Sequence, residues 1–154
     1  MPADAIATRA YFEHFGAVPD PERFIDKPVK LRDDGAVQCA ELVKQLAGAP
    51  RTQPDNWQKG LALTAAVVAT LAPGTPIASG WDARGFYPNN NSGQHAGLFN
   101  KPIVESGVVV GFTIIEQYRG LQFIQERKVY FDPVARKQRN DYLHRGAAYA
   151  TIQW

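Results

Sequence analysis

Apolar and polar positions divide the chain into a helical first part and a strand-rich second part. Residues 4–15 carry Ala5, Thr8, Phe12 and Phe15 at steps of three and four, the spacing of one helix face, and Tyr11 widens that stripe. Pro19, Pro21 and Pro28 break the next stretch into loop. Asp33-Asp34-Gly35 predicts a turn that caps a helix over 37–47, whose stripe is Cys39, Leu42, Val43 and Leu46. Gly48 and Pro50 end that helix. Residues 49–60 read as a polar loop holding Trp57, and residues 61–71 fit a short helix or a buried strand equally well.

From residue 73 the pattern changes. Pro73-Gly74 predicts a turn and Thr75–Ser79 a strand. Gly80 to Gly93 is a long loop whose aromatics, amides and glycines suggest a ligand surface: Trp81, Phe86, Tyr87, Asn89, Asn90 and Asn91. Strands are expected at 95–99, 108–118, 122–131 and 147–153, with a turn near Glu105-Ser106-Gly107 and a polar loop from Asp132-Pro133 to Arg145-Gly146. Helices first and antiparallel strands after make an α+β pattern.

The totals narrow the function classes. A chain of 154 residues is one domain by length, with 45% hydrophobic and 21% charged residues, as in soluble globular proteins. The net charge of +2, with no Lys/Arg cluster interleaved with aromatics, gives no case for nucleic acid as a partner. No apolar run approaches the roughly 20 residues of a membrane span. The N-terminus has an early acid and no basic, apolar leader, so no Sec signal peptide is expected. The protein is then cytoplasmic or exported by a route without a cleavable signal. One cysteine forms no internal disulfide. Gly-x-Ser-x-Gly, His-Glu-x-x-His, Walker A and dinucleotide glycine motifs are all missing, and three histidines with one cysteine do not make a zinc site. No metal or cofactor is expected.

What remains is Cys39, His95 and a polar third group. A thiol at a helix N-terminus meets the positive end of the helix dipole, which favours the thiolate. A neighbouring histidine held by a polar group makes that thiolate a nucleophile. His95 opens one strand and Glu116 lies near the end of the next. A turn centred near 105–106 would set them directly opposite one another on one face of the sheet. Each residue also has a plainer reading: Cys39 as inert core, His95 as a strand-edge histidine, Glu116 as solvent-facing. His14 and His144 read as partly buried surface and solvated loop residues.

Gln38-Cys39 opening a helix, Gly93-Gln94-His95-Ala96-Gly97 opening a strand and an acid ending the next strand resemble the papain-like cysteine peptidases of the NlpC and CHAP cell-wall type. Pro73-Gly74-Thr75-Pro76-Ile77-Ala78, Tyr87-Pro88-Asn89-Asn90, His95-Ala96 and Glu116-Gln117-Tyr118 resemble a small bacterial subgroup related to amidase effectors of type VI secretion. The resemblance spans roughly residues 35–120 and does not extend to the first 30 residues. It implies N-terminal helices packed on an antiparallel sheet or half-barrel, as a single catalytic domain with residues 1–34 preceding a core over 35–154. It also implies cleavage of amide bonds in peptidoglycan stem peptides, in a target-cell periplasm reached by a specialised secretion system. In that reading His95 takes the proton of Cys39, the Cys39 N–H aided by Gln38 stabilises the oxyanion, and the aromatics and asparagines of the 80–93 loop wall the cleft. Tyr118 stands where an Asn often follows the acid, which leaves Glu116 and Gln117 as rivals for the third position. Effectors of this kind usually have a cognate immunity protein, which would plug the cleft. A monomer is expected, with no membrane insertion. A Cys–His deamidase or acyltransferase on protein substrates fits the same residues, and a non-catalytic wall-binding module with a buried Cys39 is the alternative from another class.

Overall fold

The computed structural model describes residues 16–48, 54–88, 90 and 92–153. The helix expected over 4–15, with His14, lies outside the described residues. The protein is α+β: one six-stranded antiparallel sheet with a short helix on each face. Strands β1 (Gln58–Ala62), β2 (Pro76–Ser79), β3 (His95–Glu105), β4 (Val108–Glu116), β5 (Gln125–Tyr130) and β6 (Ala150–Gln153) lie in the order β1-β6-β2-β3-β4-β5. Among the described residues no helix is long and apolar enough to cross a membrane.

Period-two alternation sorts the core into two layers. Ala78, Ala96, Leu98, Ile115 and Ile152 face helix α1 (Cys39–Leu46), which contributes Ala40, Leu42 and Val43. Ile77, Phe99, Phe112, Ile114 and Val129 face helix α2 (Ala65–Thr70), which contributes Val68. The expected placing of helices at the N-terminal side is therefore half of the arrangement, since α2 covers the second face. The 61–71 ambiguity resolves at Thr64: the strand stops at Ala62, and Val67 N–H donates to Thr64 Oγ1 at 3.3 Å to cap α2.

Three expectations are corrected. The turn at Asp33-Asp34-Gly35 forms, but it does not cap α1. Asp34 Oδ1 accepts from Ala36 N–H, Leu31 pairs with Val37, and the helix begins only after Gln38. The turn is the tip of a small closed loop, and such short Asp side chains bond their own backbone as readily as a helix end. Trp57 does not sit in a polar loop. It is fully buried, with its ring centroid 5.3 Å from that of Tyr87, and it leads directly into β1. Tyr87 is buried too, and Trp81 and Phe86 are half-buried, so the 80–93 loop is no open aromatic surface. Lys59 N–H donates to Gly85 carbonyl and Tyr87 N–H to Trp57 carbonyl, so the loop covers the free edge of β1.

The β3–β4 hairpin positions the site. Its turn is tight, with Ser106 and Gly107 both at positive φ (50° and 79°), the backbone a two-residue hairpin demands. The turn end is exposed, whereas His95–Asn100 and Gly111–Glu116 are buried. The open end of the hairpin thus lies inside the molecule, where the N-terminus of α1 arrives.

Candidate active site

Cys39 is the first residue of α1 and is half-buried. Its Sγ lies 3.6 Å from Tyr87 Oη, and His95 and the Ala96 N–H act on the thiol from beside it. Burial pushes the thiol up, but the hydrogen bond and positive charge of His95, then Tyr87 and Ala96, bring it below its ordinary value. His95 is the first residue of β3 and is buried. Its Nε2 and Glu116 Oε1 are 2.7 Å apart, so Nδ1 is the ring nitrogen left for the thiol. Burial opposes the imidazolium; Cys39 and Glu116 together outweigh it and raise His95 from 6.5 to about 9. The three residues run from thiol to imidazole to carboxylate.

The expected register is close but not correct. Leu98 pairs with Ile115 and Phe99 with Ile114, which places Glu116 two residues away from the position directly opposite His95. A shift of two keeps both side chains on the same face, so the pair meets diagonally. The place opposite His95 falls to Tyr118, whose half-exposed ring lies 6.3 Å from the imidazole and edge-on to it.

Glu116 is fully buried and accepts four hydrogen bonds. Besides the His95 contact, Arg127 donates from Nε to Oε2 (2.7 Å) and from Nη2 to Oε1 (2.9 Å), and Gln125 Nε2 donates to Oε2 (2.7 Å). Burial raises the carboxyl, but the bonds from His95 and Arg127 prevail and hold it down at about 2. The Arg127 guanidinium is held in turn by the Leu143 carbonyl and by Tyr149 Oη. Sequence reasoning missed Arg127, Gln125 and Tyr149. The signal was an acid after Ile114-Ile115: a buried carboxylate needs a cation, and Arg127 stands within one diagonal step on β5.

Gln117 points to the other face and does not meet His95. Its Nε2 donates to the carbonyls of Lys30 (2.8 Å) and Gln38 (2.8 Å), and its Oε1 accepts from Lys30 N–H (2.7 Å). It ties the 28–38 loop to the sheet and fixes the start of α1, so of the two rivals it is Glu116 that meets His95. The Gln38 side chain is exposed and makes no capping bond. The Cys39 N–H lies in the first turn of α1, where the helix ladder leaves N–H groups unclaimed and able to meet an oxyanion.

The remaining candidates divide. Trp81 Nε1 donates to the Ala78 carbonyl (2.8 Å), and its ring meets Tyr87 edge-on with centroids 6.0 Å apart. Phe86 lies under the Arg84 guanidinium at 5.4 Å. Asn90 is exposed and its carbonyl accepts from Gln94 Nε2. Asn89 and Asn91 lie outside the described residues. His144 is not a free loop residue: its Nδ1 is 2.7 Å from Asp141 Oδ1. Among the described residues no group of three His, Cys, Asp or Glu side chains is placed to hold a metal ion.

Tyr87 was expected as a cleft wall and instead serves the thiol. Burial, then the neighbouring Cys39, pushes its hydroxyl well above the ordinary value, so it stays protonated and donates to the sulfur. Tyr87→Phe is expected to slow alkylation of Cys39 near neutral pH by roughly tenfold, the worth of about one charge-assisted hydrogen bond, with the melting temperature little changed. Equal alkylation rates in variant and wild type would remove this role.

This arrangement, a lowered thiol, a raised imidazole and a depressed carboxylate, is competent for nucleophilic attack on a carbonyl carbon. Comparison of the chain with protein-family models, with curated proteins and with solved structures finds no match in any of the three.

Proposed function

We propose that the protein is a cysteine amidase of papain-like (NlpC/CHAP) type that cleaves amide bonds in peptidoglycan stem peptides. The observation that carries the reading is the Cys39–His95–Glu116 grouping, with His95 Nε2 2.7 Å from Glu116 Oε1 and Cys39, the imidazole's other electrostatic partner, at the start of α1. An inert core cysteine has no use for a tyrosine hydroxyl and an imidazole that lower its thiol. The choice of peptidoglycan, export to a target-cell periplasm and a cognate immunity protein follow from the motif resemblance.

The chemistry follows from the geometry. The Cys39 thiolate attacks the carbonyl carbon; a C–S bond forms and the carbonyl oxygen takes the negative charge, met by the Cys39 N–H at the start of α1. The His95 imidazolium gives its proton to the amide nitrogen as the C–N bond breaks, and an amine leaves. The neutral imidazole then takes a proton from water, which attacks the thioester and releases the acid and the thiolate. Glu116, fixed by Arg127, keeps the ring oriented throughout.

A digest of purified Gram-negative peptidoglycan with wild type and Cys39→Ala, read by mass spectrometry of the released muropeptides, tests this. New fragments are expected from the wild type alone, and they identify the bond. Unchanged profiles from both folded proteins would move protein deamidation or acyl transfer ahead of the wall substrate.

A further inference from the structure

A hollow of about 400 Å³ opens beside the site, lined among others by Lys59, Trp81, Asp141, Tyr142 and Arg145. It lies one aromatic layer from the nucleophile: Trp81 packs edge-on against Tyr87, and Tyr87 Oη is the group 3.6 Å from Cys39 Sγ. Gly80, also in its wall, directly follows Ser79, the residue paired with His95. The hollow therefore sits at the same end of the sheet as the reacting groups.

Its charges are unevenly spent. Lys59 and Arg145 are exposed, and neither side chain is paired in an ion bridge with a described residue. The one carboxylate in the wall, Asp141, is engaged locally. Its Oδ1 accepts from Leu143 N–H (3.1 Å), His144 N–H (2.9 Å) and meets His144 Nδ1 (2.7 Å). The Asp141 carbonyl accepts from Arg145 N–H at 2.9 Å. Asp141 thus shapes the turn that presents Arg145, and its own charge is dispersed over N–H donors. Two cations without ion-pair partners among the described residues, over an aromatic floor, suit an anionic group on an otherwise apolar stem.

We infer that this hollow is a carboxylate-recognising subsite, in which Lys59 and Arg145 hold a free carboxylate of the peptide substrate while Trp81 lies along its carbon chain. The inference rests on the amidase reading for its choice of a stem peptide as ligand, and it adds a selectivity: substrates with that carboxylate amidated are disfavoured. Asp141 is a positioning residue, because it sets the turn and does not itself meet the carboxylate.

The test is calorimetric binding of a stem tetrapeptide to the full chain in a Cys39→Ala background, which prevents turnover. One peptide carries free carboxylates and the other carries them as amides. The free form is expected to bind roughly tenfold more tightly, the scale of a partly exposed charge-assisted contact. Lys59→Met with Arg145→Met is expected to bring that ratio near one, and Arg145→Glu to bring it below one. Equal binding of the two peptides, no binding of either, or an unchanged ratio in the variants overturns the inference. The two readings fail separately. Peptidoglycan digestion by the wild type with no preference between the peptides leaves the amidase standing without this subsite. Preferential binding that depends on Arg145, with no digestion, leaves the subsite and removes the amidase.

Discussion

His95→Ala is expected to lower amide turnover by roughly 10⁴-fold and to slow alkylation of Cys39 at neutral pH by at least about 10²-fold. The imidazole does two things at once. As a cation beside the sulfur it is the main influence set against burial, and without it only Tyr87 and the Ala96 N–H oppose burial, so the thiol rises toward its ordinary 9. At neutral pH the thiolate then falls toward about one part in a hundred. The second loss is the proton for the leaving amine, which no other described residue at the sulfur supplies, since the Tyr87 hydroxyl is held well above its usual value. Steady-state kinetics on the released muropeptide and iodoacetamide labelling of the folded variant check the two losses separately. A variant that keeps its labelling rate would show that His95 does not ionise the thiol.

Glu116→Gln is expected to have the second-largest effect, in two measurements that a merely structural residue would not move together. The wild-type carboxylate is fully buried against Arg127 and His95. Removing its charge leaves a largely buried guanidinium unpaired, which costs about 3 kcal/mol, or roughly 6–12 °C in melting temperature for a domain of this size. The sign of the pH dependence follows from the shifts. Glu116 is depressed from 4.5 to about 2, so its stabilisation is present above 4.5 and lost as pH falls through about 2. The gap between wild type and variant should therefore close in acid. His95 is raised from 6.5 to about 9, so its contribution is present below 6.5 and lost as pH rises through about 9. Without Glu116 the alkaline limb of kcat/KM should move down from about pH 9. Gln117→Ala supplies the contrast: it loses the three bonds to Lys30 and Gln38 and should melt earlier, with the alkaline limb left in place. A limb that moves in Gln117→Ala and stays in Glu116→Gln would reverse the assignment of the third residue.

The parts of this arrangement that were legible in the sequence are local. A cysteine at a helix start, a histidine at a strand start and an acid at the end of the next strand, joined by a tight turn, define a hairpin whose faces follow from counting. The count missed by two residues because the real turn is centred after Ser106, the ladder's irregularities at Phe99/Pro102 and Ile103/Val104 cancelling one another, and a shift of two leaves the faces unchanged. Asp33-Asp34-Gly35 was misread as a cap because its side chains serve their own turn. The groups that escaped notice come from distant chain segments. Trp57 is buried because Tyr87, thirty residues on, packs against it, and β1 exists because β6, the last strand, pairs with it. Arg127 is one of several charges in β5, and only its position beside a buried Glu116 gives it a role.

The ionisation of Cys39 underlies every step, and its alkylation rate measured across pH on the folded protein reports it directly. Iodoacetamide labelling of wild type, followed by mass spectrometry, should rise to its plateau with a midpoint below the ordinary thiol value of 9, and His95→Ala should move that midpoint upward. A wild-type midpoint at or above 9, unchanged by His95→Ala, would show an inert half-buried cysteine and contradict the assignment of a nucleophile at Cys39.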